Sequence, residues 1–145
     1  MARTSTYLNF THQTEEAFNF YRIVFGGEFL GPLQRMSQAP AHPGAPPMSD
    51  AVGNLVLHVE LAITGGHVLM GTDAPQAMGF PPIAHGNGVH INVEPDTLDE
   101  ATRLFDALAH GGAITMPLQP MFWGATFGSL KDKFGVQWMV NYANK

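Results

Sequence analysis

One pattern occurs twice in this chain, and it limits the fold more than anything else in the sequence. Glu15-Glu16-Ala17-Phe18-Asn19-Phe20-Tyr21-Arg22-Ile23-Val24-Phe25 runs into Gly26-Gly27. Further on, Asp99-Glu100-Ala101-Thr102-Arg103-Leu104-Phe105-Asp106-Ala107-Leu108-Ala109 runs into His110-Gly111-Gly112. Apolar residues fall at helical spacing in both: Ala17, Phe20, Tyr21, Val24, and Ala101, Leu104, Phe105, Leu108. Each run opens with acidic residues, which suit the positive end of a helix dipole. Thr97 and Glu100 have the spacing of a capping box. Each run closes at Gly-Gly, where a left-handed cap forms easily. The pattern predicts helices over 15–25 and 99–109.

Strand-like runs surround each helix. Thr6–Phe10 precedes the first and 89–93 precedes the second. Three candidates follow each: 28–36, 55–63 and 67–71, then 113–116, 125–131 and 137–142. In 55–63, Leu55, Leu57, Val59, Leu61 and Ile63 alternate with Val56, His58, Glu60 and Ala62. Gly65-Gly66 and Gly135 suit hairpin turns between the last two strands of each set. The architecture reads βαβββ, written twice, in the α+β class. The predicted boundaries are a first module over 1–73, a linker over 74–87 and a second module over 88–145, in one domain. The Ala/Pro/Gly-rich stretch 37–53 reads as a mobile loop or lid. One helix covers only one face of a sheet, so the other face must meet a twin module, a partner chain or a cavity.

Composition excludes several function classes. The 145 residues contain no cysteine, which removes disulfides, thiolate metal sites and thiol nucleophiles. Seven Lys and Arg against twelve Asp and Glu give a net charge of −5. Nucleic-acid binding needs the opposite balance and is not expected. No apolar run reaches the ~18 residues of a membrane span, and Met1–Thr6 lacks the apolar core of a secretory signal. A cytoplasmic protein without membrane partners is the expectation.

Further motifs carry a family likeness. They are Glu16-Ala17-Phe18-Asn19-Phe20-Tyr21 with Gly26-Gly27, and Gly66-His67-Val68-Leu69-Met70. In the second half they are Leu104-Phe105-Asp106-Ala107-Leu108 and Met116-Pro117-Leu118-Gln119-Pro120-Met121-Phe122-Trp123-Gly124. The last is Asp132-Lys133-Phe134-Gly135-Val136-Gln137-Trp138-Met139-Val140-Asn141. With the βαβββ repeat, the chain resembles the PhnB-like branch of the vicinal-oxygen-chelate superfamily of glyoxalases, extradiol dioxygenases and bleomycin-resistance proteins. The resemblance implies two paired modules forming an open cup, a homodimer and a small-molecule ligand. The branch also carries a 3-demethylubiquinone methyltransferase name. The chain has no glycine-rich βαβ motif for a methyl donor.

Metal-using glyoxalases take four ligands from the first and fourth strands of their modules. The resemblance puts Thr6, Gly88, Met70 and Met139 at those positions. None offers the carboxylate or imidazole that divalent ions prefer, so neither a metal nor another cofactor is expected. If Gly88 and Met139 face the cup, strand alternation turns His90, Asn92, Gln137 and Asn141 the same way. Val89, Ile91, Val93, Trp138, Val140 and Tyr142 then pack under the helix. The aromatics Phe122 and Trp123 lie in a Pro/Gly-flanked loop that would close over a ligand or a partner chain. The expected ligand-binding set is Thr6, Met70, Asn92, Gln119, Phe122, Trp123, Gln137, Met139 and Asn141. The candidates for acid–base catalysis are His58, Glu60 and His90. His12, His42 and His110 are expected at the surface. Two other readings stand beside this one. One is a metal enzyme, lyase or dioxygenase, in which His58, Glu60 and His90 converge as a displaced facial triad. The other is a non-catalytic resistance-type protein that sequesters its ligand.

Overall fold

The computed structural model describes residues 1–40 and 43–143; the expectation for His42 lies outside them. The chain divides into two units, Met1–Ile83 and Ala84–Lys145. The first contains β1 (Thr6–Phe10), α1 (Thr14–Phe25), β2 (Gln34–Arg35), the short α2 (Asp50–Gly53), β3 (Val56–Ala62) and β4 (Val68–Asp73). The second contains β5 (Ile91–Val93), α3 (Leu98–Ala109), β6 (Ala113–Pro120), β7 (Ala125–Lys131) and β8 (Gln137–Ala143). The strand orders are β1-β4-β3-β2 and β5-β8-β7-β6. Only β1 with β4 and β5 with β8 are parallel; the other pairs are antiparallel. The fold is α+β, with the βαβββ order present in both units.

Each helix lays its apolar stripe on one face of its own sheet. From α1, Thr14, Ala17, Phe18, Tyr21 and Val24 are buried. Phe18 thus takes the place expected of Phe20. From α3, Ala101, Leu104, Phe105 and Leu108 are buried, as the spacing predicts. Both aromatics need a strand glycine beneath them. A Cβ on Gly71 of β4 would stand 2.5 Å from the Phe18 ring, and one on Gly128 of β7 would stand 2.7 Å from Phe105.

The Gly-Gly pairs have two separate reasons. Gly26 and Gly111 adopt φ of 66° and 78°, the left-handed region that favours glycine. Gly27 and Gly112 instead pass against a strand. A Cβ there would meet the carbonyl oxygens of Ala62 and Lys131 at 2.1 and 2.2 Å.

Two buried aspartates tie the elements together. Asp73 accepts from the Thr14 amide at 3.1 Å and the Val56 amide at 2.8 Å, joining α1, β3 and β4. Asp132 accepts from the amides of Phe134 and Val136 at 2.8 and 3.0 Å, and from Trp138 Nε1 at 2.9 Å. It closes the β7–β8 hairpin over Trp138, the largest fully buried side chain among the described residues.

Several expectations need correction. The strand expected over 28–36 is reduced to Gln34–Arg35 and a lone bridge from Phe29 to Leu61. Gly31-Pro32 interrupts the run, and proline has no amide to give a ladder. β6 extends to Pro120, past its expected end, as an edge strand whose pairing is irregular between Ile114 and Gln119. The second module's first strand starts only at Ile91, and Val89 ahead of it is 78% exposed rather than packed under α3. Val56 is buried while Leu57 is half-buried, against strict alternation; the Val56 amide is held by Asp73. The stretch 37–53 includes part of a 3-10 turn over Met36–Gln38 and the helix α2, which Ser49 caps through the Val52 amide.

Candidate functional site

The face of each sheet opposite its helix carries the polar side chains, and the strand registers say which. In the first unit, Tyr7 pairs with Met70, and Met70 with Glu60. His58 pairs with Gln34 on the same side. Leu8 and Phe10, on the alternate parity, are buried under α1. Thr6 pairs with Leu69 and so shares that helix-side parity. Thr6 and Met70, the two ligand positions the likeness implies in this unit, are therefore not register partners. The pleat puts Tyr7 beside Met70, and Thr6 bonds His67 Nε2 at 2.9 Å instead. Ser5, two residues before Tyr7, reaches the Met70 sulfur at 3.7 Å.

Four side chains on this face form a continuous hydrogen-bonded chain. Tyr7 Oη lies 3.2 Å from His58 Nδ1, and His58 Nε2 lies 3.1 Å from Glu60 Oε2. Arg3 Nη2 donates to Glu60 Oε1 at 3.1 Å. Hydrogen bonds from His58 and then Arg3 hold the Glu60 carboxyl below its ordinary range. Burial, then the Glu60 charge, push the Tyr7 phenol up, against a hydrogen bond with Thr72. Tyr7 therefore keeps its proton at neutral pH. Beside His58 and Glu60 opens a cavity of about 230 Å³, walled also by Leu30, Gly31, Pro32, Gln34 and Val59. Sequence reasoning found His58 and Glu60 but missed Tyr7 and Arg3. The signal for Tyr7 was present: it alternates with Leu8 and Phe10 in β1.

The second unit's face matches the expected parity. Ile91 pairs with Trp138 and Val93 with Val140 on the helix side, while Asn92 pairs with Met139 opposite. Asn141 pairs with Phe127, and Phe127 with Gln119, on that same side. Gln137 is buried and donates to the Gly86 carbonyl at 3.3 Å. Asn141 donates to Glu94 at 3.2 Å, and Thr115 bonds Ser129 at 2.7 Å. Trp123 sits edge-on to Phe127, with ring centres 6.1 Å apart, at one end of this face. It is 53% exposed, and Phe122 beside it is 97% exposed. His85, Gly86, Asn87, Lys131, Gly135 and Gln137 surround a second cavity of about 370 Å³. Burial lowers the His85 imidazole pKa against the pull of Asp132. His12 and His110 are exposed, as expected.

The side chains that register places at the compared positions are not the carboxylates and imidazoles that divalent ions prefer. Register puts Tyr7 beside Met70 and Asn92 beside Met139, so the donors are a phenol, an amide and two thioethers. Among the described residues, no three His, Asp or Glu side chains stand close enough to share an ion. Of the catalytic candidates, His58 and Glu60 are in contact, while His90 belongs to the second unit.

Comparison with known proteins supplies the remaining findings. Residues 2–141 match the family described as 3-demethylubiquinone-9 3-methyltransferase. The chain is 30% identical over 142 residues to Protein YjdN of Escherichia coli K12, covering 94% of this chain and 92% of that one. The crystal structure of protein PA1353 from Pseudomonas aeruginosa is 33% identical with a TM-score of 0.82, over 100% of both chains. A putative 3-demethylubiquinone-9 3-methyltransferase, PhnB protein, from Bacillus cereus is 27% identical with a TM-score of 0.77, over 98% of this chain and 100% of that one. Likeness of fold alone extends to a glyoxalase/bleomycin resistance protein/dioxygenase family enzyme of Burkholderia phytofirmans, 18% identical over 95% of this chain and 97% of that one, TM-score 0.61.

Proposed function

The chain belongs to the 3-demethylubiquinone-9 3-methyltransferase family, the PhnB-like branch of the vicinal-oxygen-chelate superfamily, and we propose that it binds a small uncharged organic molecule without the superfamily's metal. The observation that carries this reading is the Tyr7–His58–Glu60–Arg3 chain on the face opposite α1, with a cavity of about 230 Å³ beside its two central members, His58 and Glu60. Apolar walls from Leu30 and Pro32 beside a few polar groups suit such a ligand. The Arg3 guanidinium is drawn onto Glu60, so the cluster presents no cation dedicated to an anionic ligand. The second unit's polar face, taken by itself, carries the amides of Asn92, Gln119, Gln137 and Asn141 and the Met139 thioether. The methyl transfer in the family's description gains no support here, because the groups brought together on this face are suited to moving protons.

The exposed Phe122–Trp123 pair supports a second element of the proposal, that two copies pair through this loop. Sedimentation at micromolar concentration should then show twice the chain's mass; a monomer would refute the pairing.

A thermal-shift screen of neutral, anionic and cationic fragments tests the ligand reading. Neutral fragments should raise Tm, by up to about 2.7 kcal/mol of stabilisation at 100-fold excess over Kd. The gain should vanish in His58→Ala. A chelator should leave both Tm and the fragment shifts unchanged. A stoichiometric divalent ion whose removal lowers Tm would sink the proposal.

A further inference from the structure

We propose that Tyr7 exchanges a proton with the ligand, that His58 behind it takes up and returns that proton, and that Glu60 and Arg3 hold the imidazole in the orientation this requires. The inference rests on the reading of this face as a ligand site and assigns it a chemistry.

The direction of each hydrogen bond fixes the roles. Glu60 receives hydrogen bonds from Arg3 and His58, so its ionised carboxylate acts only as an acceptor. His58 Nε2 must then carry a proton. In the neutral imidazole that leaves Nδ1 as the lone-pair nitrogen, and Nδ1 faces Tyr7 Oη at 3.2 Å. The phenol therefore donates to the imidazole. Both ring nitrogens are occupied, so His58 can trade a proton with a ligand only through the Tyr7 oxygen. Tyr7 is 48% exposed on this face, so a ligand can approach it. A proton arriving at the phenolic oxygen displaces the phenol's own proton to Nδ1, and Glu60 stabilises the resulting imidazolium. This is the logic of an activated hydroxyl, a base and an orienting carboxylate, with a phenol as the hydroxyl.

The surroundings name the substrate class. Across the sheet, β4 contributes Met70 and Thr72 and β2 contributes Gln34, none of them charged. The titratable or charged groups around His58 are Tyr7 from β1, Glu60 from β3 and Arg3 from the segment before β1. A carboxylate beside the site disfavours anions. The site suits an uncharged molecule with a weakly acidic hydrogen on carbon, whose developing charge the Gln34 amide can meet.

5-Nitrobenzisoxazole is a probe of that class. Its C3 proton passes to Tyr7 Oη as the Tyr7 proton passes to His58 Nδ1. The C–H electron pair completes a nitrile, and the N–O bond breaks with its pair on the departing phenolate oxygen. The wild-type chain should accelerate this reaction above the rate in buffer. Tyr7→Phe and His58→Ala should each lower kcat by about 10²-fold, the lower end of what positioned acid–base groups supply. Glu60→Gln should keep part of the rate, lowering kcat while leaving KM unchanged, because the amide can still hold the imidazole but cannot stabilise the imidazolium formed during the transfer; a merely structural role for Glu60 would move KM as well. Calorimetry with 6-nitrobenzotriazole, a planar analogue that is not turned over, measures binding separately. Binding with a rate that Tyr7→Phe leaves unchanged, or with no rate above buffer, would overturn the relay and leave the ligand site standing. Absence of binding to the wild type would overturn the ligand site and the relay together.

Discussion

The two sheets share one plan and differ on the face that the helix does not cover. Under the helices the units agree closely. Phe18 over Gly71 answers Phe105 over Gly128, and Gly27 against Ala62 answers Gly112 against Lys131. On the opposite faces they diverge. The first carries the linked titratable groups Tyr7, His58 and Glu60; the second carries amides, hydroxyls and Met139, with Glu94 at its margin. A helix-side residue must fill a fixed volume, so substitution there is costly and the repeat persists. The other side is constrained only by what it binds. The comparison therefore separates the residues that make the fold from those that give each face its chemistry.

The largest expected effect lies on the helix side. Trp138→Ala removes a fully buried indole and strips Asp132 of one of its donors. It should cost about 3–5 kcal/mol by urea denaturation. His90→Ala, on the other parity of the second unit, should cost less than about 1 kcal/mol. Equal losses would mean that the division into two faces is wrong for that unit.

The buried aspartates come next, and they sharpen the comparison between the units. Asp73→Ala would orphan the amides of Thr14 and Val56, each buried, at about 1–3 kcal/mol apiece. Asp132→Ala would orphan two amides and an indole N–H within one hairpin. Asp132 and Trp138 touch, so a double-mutant cycle should show a coupling of about 0.5–3 kcal/mol. The donors that Asp73 holds, Thr14 and Val56, both belong to the first unit, so its loss should add to that of Trp138. Coupling of Asp73 to Trp138 as strong as that of Asp132 would break this picture.

The sequence made the fold legible where a residue's reason was local. The limits of β1 and β7 match the expected runs, and the two long helices differ by one residue at their starts. The first unit's face was harder to read. Lining up helices singles out Thr6 and lining up hairpins singles out Met70, yet the parallel register of β1 on β4 depends on how the intervening segment turns, and it sets Tyr7 beside Met70. In the second unit the apolar residues of β8 marked the helix side clearly, and the assignment of Asn92 and Met139 follows from them. Asp73 and Asp132 look like surface aspartates in the sequence, because their partners are backbone amides, which no residue letter announces. The Asp132-Lys133-Phe134-Gly135 spacing, an aspartate three residues before a turn glycine, was the available signal for one of them.

The smallest effect separates the two polar faces by pH. Hydrogen bonds from His58 and Arg3 depress the Glu60 pKa in the folded chain. A depressed carboxyl stabilises the fold above its unfolded value, about 4.3, and loses that contribution as pH falls through its lower folded value. The stability difference between wild type and Glu60→Gln should therefore be present at pH 6 and fade toward pH 3. Because Glu60 faces solvent, the difference should be small, and it should shrink in 1 M salt, where the Debye length is about 3 Å. Asn92→Ala in the second unit, which removes no titratable group, should show no such acid-side fading. Urea midpoints for both variants at pH 6 and pH 3, in low and high salt, make the measurement. A Glu60→Gln difference that persists unchanged at pH 3 would mean that its ion pairing contributes nothing and that the side chain acts through packing alone. The charge-based distinction between the faces would then rest on Tyr7 and His58 only.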